Sequence, residues 1–157
     1  MADGARHPFG IRVNRGLGWP VELDERGALA LTTGVGNVEA SMLAILATTP
    51  GERVMRPDFG CRLWHHLDDS PDVEAISDAV RESLVQWEPR VDVEDVAVVA
   101  VHDGVGGVDV DVSFVELATT GRSVARFRCL PEGADANWPF GIRDGRTDRI
   151  VLSKARP

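Results

Sequence analysis

Val73-Glu74-Ala75-Ile76-Ser77-Asp78-Ala79-Val80-Arg81-Glu82-Ser83-Leu84-Val85-Gln86-Trp87-Glu88-Pro89-Arg90-Val91-Asp92-Val93-Glu94 changes its hydrophobic period part-way along. Up to Trp87, the residues Val73, Ile76, Val80, Leu84 and Trp87 recur at spacings of 3, 4, 4 and 3, with Asp78, Arg81, Glu82 and Gln86 opposite them. That is the pattern of an amphipathic helix with one buried face. Ser70-Pro71 in front of it suits a helix start, serine as cap and proline in the first turn. Pro89 lacks an N–H and stops the helix. From Val91 the period becomes two, as Val91 and Val93 alternate with Asp92 and Glu94. Helix, rigid corner and half-buried strand follow one another without a linker.

Downstream, Val96 and Val98 share a new phase, which predicts a bulge near Asp95. His102 to Gly107 reads as a glycine-rich hairpin loop. Val108, Val110, Val112 and Phe114 then share a face against Asp109, Asp111 and Ser113. Thr119-Thr120-Gly121 turns the chain, and in Arg122 to Leu130 the residues Ala125, Phe127 and Cys129 oppose Val124, Arg126 and Arg128. Three strands joined by short turns form an antiparallel meander.

Upstream, Val38, Met42, Ile45 and Leu46 predict a second helix over about residues 38–47, with Asn37 as its N-cap. Ala28 to Thr32 suits a short strand after a turn at Asp24–Gly27. Between the helices lies Thr49-Pro50-Gly51-Glu52-Arg53-Val54-Met55-Arg56-Pro57-Asp58-Phe59-Gly60. Pro50-Gly51 is a turn signal, and Pro57 restricts its surroundings to extended backbone. Glu52 and Arg53 suit a buried ion pair and are expected to form ion pairs or backbone hydrogen bonds within the domain, with Met55 and Phe59 as apolar anchors and Phe59 buried between the two helices. Cys61 to Leu67 suits a helical turn.

The predicted architecture is α+β, an antiparallel meander with two amphipathic helices on one face and extended arms at both termini. Residues 1–17 form the N-terminal arm, 18–130 the domain and 131–157 a C-terminal extension. Ile150-Val151-Leu152 is an apolar patch in that extension that must bury against something. Pro8-Phe9-Gly10-Ile11-Arg12 recurs as Pro139-Phe140-Gly141-Ile142-Arg143, too short to define a repeat architecture.

The 157 residues suffice for one core, and 43% hydrophobic with 27% charged residues is ordinary for a globular protein. No apolar run is long enough to cross a bilayer, and no apolar leader is present, so neither membrane insertion nor export is expected. Cys61 and Cys129 are too few for a disulfide framework and are expected as reduced, partly buried thiols. Residues 1–120 carry 9 basic and 21 acidic side chains, a net of −12, and residues 121–157 carry 8 and 4, a net of +4. An acidic body argues against nucleic acid as partner, and a basic end suits docking on an acidic neighbour. The alternative is that the end folds back on its own acidic body.

Catalytic readings are weak. Glu52 and Asp58 could form a carboxylate pair for glycoside hydrolysis, but Arg53 beside Glu52 favours a structural ion pair. His65-His66 with Asp68 and Asp69 suggests a metal site, but adjacent histidines diverge on either a strand or a helix, and a solvated surface is the simpler reading. No catalytic residue, metal ligand or cofactor is therefore expected. Glu88-Pro89-Arg90 is more specific. Its charges either close the helix–strand corner locally or point outward to a partner, and the residues alone leave both open.

Gly18-Trp19-Pro20, Gly27-Ala28-Leu29-Ala30-Leu31, Leu46 to Gly60 and Trp87-Glu88-Pro89-Arg90-Val91 occur in the order and spacing of the baseplate wedge proteins of contractile phage tails. The resemblance covers roughly residues 18–118. This family, sometimes labelled lysozyme-like, extends to type VI secretion and extracellular contractile injection systems. The resemblance implies a structural, non-enzymatic protein, present in several copies in a six-fold baseplate assembled in the cytoplasm. It implies that Glu88, Pro89 and Arg90 contact the core bundle of neighbouring wedge proteins. It implies too that the last strand, here with Arg122, Val124, Arg126 and Arg128, pairs with a sheath subunit and templates the sheath. Inner-tube or hub proteins are further partners by the same resemblance. Pro50, Gly51, Glu52, Arg53, Pro57, Phe59 and Gly60 form its structural motif. The strand at Arg122–Leu130 is accordingly expected as an open edge guarded by arginines. The label makes a peptidoglycan-degrading hydrolase the alternative.

Overall fold

The computed structural model describes residues 15–18, 21–67, 70–102, 106–131, 143–144 and 148–153. The paired Pro-Phe-Gly-Ile-Arg segments, Trp19-Pro20, Asp68-Asp69 and the tip of the loop at residues 103–105 lie outside them, apart from Arg143. Among the described residues two sheets, two α-helices and a 3-10 turn at Arg62–His65 make an α+β fold. β1 (Arg15–Leu17) pairs antiparallel with β2 (Leu31–Thr33), and a bridge joins Leu23 to Leu29. The strand expected over residues 28–32 thus starts later, and the end of the N-terminal arm is ordered against it. In the turn between them the Asp24 carboxylate accepts from the Arg26 and Ala28 amides.

α1 runs over Val35–Ala47, three residues earlier than the apolar pattern predicts. Gly34, at φ 61°, supplies the non-helical backbone of the cap, which glycine adopts without steric cost. Asn37 is therefore no cap and lies buried inside the first turn. α2 spans Val73–Trp87 and is capped by Asp72, whose carboxylate accepts from the Ala75 amide at 3.0 Å. Ser70 and Pro71 precede that cap, so the helix begins two residues beyond the expected start. Ile76, Val80 and Leu84 face the core, and Val73 at the fraying end is exposed.

β3 (Val91–Ala100), β4 (Val108–Glu116) and β5 (Arg122–Leu130) form the predicted meander. The register shifts between Val93 and Asp95, where the change of phase places a bulge. Val91, Val93, Val96, Val108, Val110, Val112, Phe114, Ala125, Phe127 and Cys129 face the helices and join Met42, Ile45, Leu46 and Leu84 in one core.

The sheet does not stop at β5. β7 (Arg149–Ser153) pairs with it in parallel, Phe127 opposite Ile150 and Leu130 opposite Ser153, and β6 (Arg143–Asp144) pairs antiparallel with β7. The order is β3-β4-β5-β7-β6. Residues 149–153 thus belong to the fold rather than to an extension beyond it, and Ile150, Val151 and Leu152 are buried. The physical reason is width. Packed helices sit about 8–10 Å apart and strands about 4.8 Å, so three strands are too narrow to floor two helices. α2 lies on β3 at one side, and α1 reaches β7 at the other.

Cys61 and Cys129 are free thiols, both fully buried. Burial pushes both thiols up from their ordinary pKa, Cys129 far more.

Candidate partner-binding site

The corner at Glu88-Pro89-Arg90 is built from three elements. The Glu88 amide still donates to the Leu84 carbonyl at 2.9 Å, completing the last turn of α2, before Pro89 breaks the ladder. Arg90 opens toward β3, and its carbonyl accepts from the Leu117 amide beyond β4. The Glu88 side chain is 1% exposed and faces inward. Arg90 grips it bidentately, Nε to Oε1 at 2.6 Å and Nη2 to Oε2 at 2.5 Å. Burial pushes the Glu88 carboxyl up, but hydrogen bonds from Arg90 and from Ser41 on α1, with the guanidinium charge, outweigh it and hold its pKa below the ordinary value. The same hydrogen bond raises Arg90, with Glu116 adding to it. In the isolated chain the charges therefore close the corner locally. Pro89 and the 28% of the Arg90 side chain left exposed are what a partner can touch.

The loop between the helices is held by its own backbone. Gly51 donates to Pro57, Arg56 to Arg53, Phe59 to Arg56 and Cys61 to Thr48. The Glu52 carboxylate accepts from the Thr49 amide, the backbone hydrogen bond that was one of the two expectations for Glu52 and Arg53, but it does so in an exposed rather than a buried loop. Gly60 has φ 124°, and a Cβ there would lie 2.2 Å from the Thr48 carbonyl oxygen, so the loop closes only with glycine. Phe59 is half-buried rather than fully enclosed. Its ring meets Trp87 at 5.3 Å between centroids, and the Arg53 guanidinium covers it at 3.9 Å. Met55, expected as a core anchor, is 92% exposed, and Val54 beside it 93%. The turn that brings Phe59 inward carries these two out.

The outer face of the sheet is a ladder of ion pairs. Arg128 binds Asp109 with two hydrogen bonds of 2.8 and 3.0 Å, and Arg149 reaches both Asp109 and Asp111. Arg122 pairs with Glu94 at 3.0 Å and Arg126 with Asp148 at 3.5 Å. β5 is not the open edge that was expected, because β7 covers Phe127–Leu130 and leaves only residues 122–126 beyond that pairing. Of the basic end, residues 149–153 fold back onto the acidic body, as Ile150–Leu152 requires an apolar floor and Arg149 a pair of carboxylates. Sequence reasoning missed Ser41, Arg149 and the Asp109–Asp111 pair. One signal was present, since the hairpin register sets Asp109 and Asp111 directly opposite Arg128 and Arg126.

Among the described residues no three His, Cys, Asp or Glu side chains are grouped to hold a metal ion. The family of the baseplate wedge protein gp25 matches residues 32–119, more than half of the chain. The chain belongs to this family. The match takes in the loop between the helices and the Glu88-Pro89-Arg90 corner, and it ends before β5. The baseplate wedge protein gp25 of Enterobacteria phage T4 is 26% identical over 86 residues, which is 53% of this chain and 65% of that protein. The chain thus matches just under two thirds of that relative's length. A solved structure from Geobacter sulfurreducens, described as a tail lysozyme, is 28% identical with a TM-score of 0.59, covering 66% of this chain and 96% of its own. A chain of the six-fold symmetrised baseplate of the anti-feeding prophage superposes with a TM-score of 0.58 at 22% identity, covering 67% and 86%, a likeness of fold alone.

Proposed function

We propose that this gp25-family protein is a structural subunit of a contractile particle's baseplate, assembled in the cytoplasm in several copies around a six-fold axis. Within Glu88-Pro89-Arg90, Pro89 and the exposed edge of Arg90, held in place by the buried Glu88, dock on the core bundle of neighbouring wedge proteins, and the sheet hands its strand register to the first sheath ring. The observation that carries the first part is the corner itself. A buried, bidentate ion pair fixes Pro89 and one edge of Arg90 at the surface within the span the family matches. The sheath contact rests on residues 122–126 with Val124, the part of β5 outside its pairing with β7, as a site of strand addition. Inner-tube or hub proteins lie within reach in such a ring. Neither nucleic acid nor membrane insertion enters the reading, and no described helix is long and apolar enough to span a bilayer.

The hydrolase reading draws on the name of the Geobacter sulfurreducens relative. A glycosidase needs a carboxylic acid kept protonated beside a carboxylate. Here the buried Glu88 is held ionised by Arg90, and Glu52 is occupied with a backbone amide. The purified protein is expected to leave the turbidity of cell-wall suspensions unchanged, and clearing would overturn the structural reading. For docking, the test is Glu88→Met with Arg90→Met. Replacing a buried ion pair by apolar groups of similar volume is often neutral for stability. The double variant is expected to melt near the wild type yet be missing from assembled baseplates, and normal incorporation would refute the docking role.

A further inference from the structure

We propose that Val54 and Met55 form a second docking knob, which enters an apolar pocket rimmed by carboxylates on another baseplate protein. The inference rests on the baseplate reading but concerns a surface apart from the Glu88-Pro89-Arg90 corner. Scattered exposed hydrophobic residues need no explanation, but these two are adjacent and more than nine-tenths exposed. They are also fixed in place. Hydrogen bonds from Gly51 to Pro57, from Arg56 to Arg53 and from Phe59 to Arg56 hold the turn on both sides of them. The Glu52 carboxylate adds a bond to the Thr49 amide, and the loop's exit is pinned where the Cys61 amide meets the Thr48 carbonyl. A loop ordered in this way presents its tip with little conformational entropy left to lose on binding, the condition under which a few side chains dominate an interface.

The charge around the tip defines the partner's chemistry. The body is acidic, yet Val54 and Met55 are flanked directly by Arg53 and Arg56. Arg53 is laid flat against Phe59, which fixes the position of its charge. Arg56 is exposed and makes no ion pair among the described residues. The carboxylates of the same loop stand further out along the chain, Glu52 bonded to the Thr49 amide and Asp58 beyond Pro57, so an apolar pair whose immediate neighbours are two arginines fits an apolar pocket with Asp or Glu at its rim. It repels a second copy of the same tip, because like charges would face each other. Full burial of one such side chain is worth about tenfold in affinity or more.

The test uses the full chain in assembled particles. A benzophenone amino acid replaces Met55, with Val99 on β3, also exposed, as the control position. After irradiation of purified baseplates, cross-linking from position 55 to an apolar segment bearing Asp or Glu in a different baseplate protein is expected. Val54→Ser with Met55→Ser is expected to leave the melting temperature within about 2 °C, since both residues are exposed. Incorporation into baseplates is expected to fall about tenfold or more, and Arg56→Glu alone to lower it in the same direction. Normal incorporation of the serine variant, or cross-linking from position 55 to a second copy, overturns the knob and leaves the baseplate reading standing. Incorporation unaffected by Arg56→Glu overturns the acidic rim. Wild-type chain missing from baseplates overturns both.

Discussion

Arg90→Ala and Glu88→Ala remove the same ion pair, yet the structure makes their costs unequal. Removing the Arg90 side chain leaves a carboxylate that is 1% exposed, with the Ser41 hydrogen bond and a long 3.4 Å bond from the backbone amide of residue 90 to compensate it. Breaking a buried pair in that way costs about 3–5 kcal/mol. Removing Glu88 instead leaves a guanidinium with 28% of its side chain already in water and Glu116 nearby, and it can swing further out. That variant is expected to lose about 1–2 kcal/mol. A difference of about 2 kcal/mol corresponds to about 4–8 °C in melting temperature for a domain of this size. The pH dependence gives a sharper test. In the wild type the Glu88 pKa is depressed on folding, so its contribution is present above the unfolded value of about 4.3 and is lost as pH falls through the folded value. Without Arg90, burial dominates and raises the folded pKa above the unfolded one. The sign then reverses, and the Arg90→Ala protein loses stability as pH rises from the unfolded value up to its raised folded value. Urea denaturation of both variants between pH 4 and pH 8 measures this. Equal midpoints for the two variants, with the wild-type pH slope in each, would refute the burial argument.

Phe59→Ala is expected to lower stability by about 2 kcal/mol, below the about 3–5 kcal/mol of a fully buried ring, because Phe59 is only half-buried between Trp87 and Arg53; thermal melting checks it. Arg149→Ala is expected to loosen β7, so that the amides of Val151 and Leu152 exchange at least tenfold faster while those of α2 stay protected. Hydrogen exchange reads this, and equal protection of β7 in the variant and the wild type would show that its apolar contacts alone hold it.

What the sequence made legible was local and periodic. The helix at Val73–Trp87, the bulge before Asp95 and the alternation of β4 each follow from side chains within a few residues of one another. What it concealed depended on distant partners. Asn37 has the right side chain for a cap, but the turn is made at Gly34, where backbone freedom rather than a side-chain bond starts the helix. Ser70 and Asp72 are both competent caps, and two residues of offset decide between them. β7 is five residues long in a stretch rich in Arg and Asp, and its parallel partner lies over twenty residues back, so no local pattern announces it. The arginines of β5 looked unpaired because they were read along one strand, whereas their carboxylates lie on β3, on β4 and beside β7. Met55 failed as an anchor because an apolar residue in a tight loop can face either way, and the loop's hydrogen bonds, not its hydrophobicity, chose. Glu88 and Arg90 left two orientations open, and Ser41, nearly fifty residues away, contributes to the inward one.

The two buried thiols supply a clock for the opening of the fold. Alkylating reagents attack the thiolate, and burial suppresses it at both cysteines, so each reacts only when its surroundings part. Their positions differ. Cys129 sits in β5 opposite Leu152 of β7, whereas Cys61 follows the glycine that closes the loop between the helices and donates to the Ala79 carbonyl of α2. Although the two thiols are close enough for Cys61 to act on Cys129 electrostatically, detachment of β7 is expected to unmask Cys129 ahead of Cys61, which the loop and α2 still hold, and complete unfolding to release both together. Labelling rates for the two, followed by mass spectrometry on free protein and on intact particles, would report which movement comes first and whether incorporation into the particle arrests it.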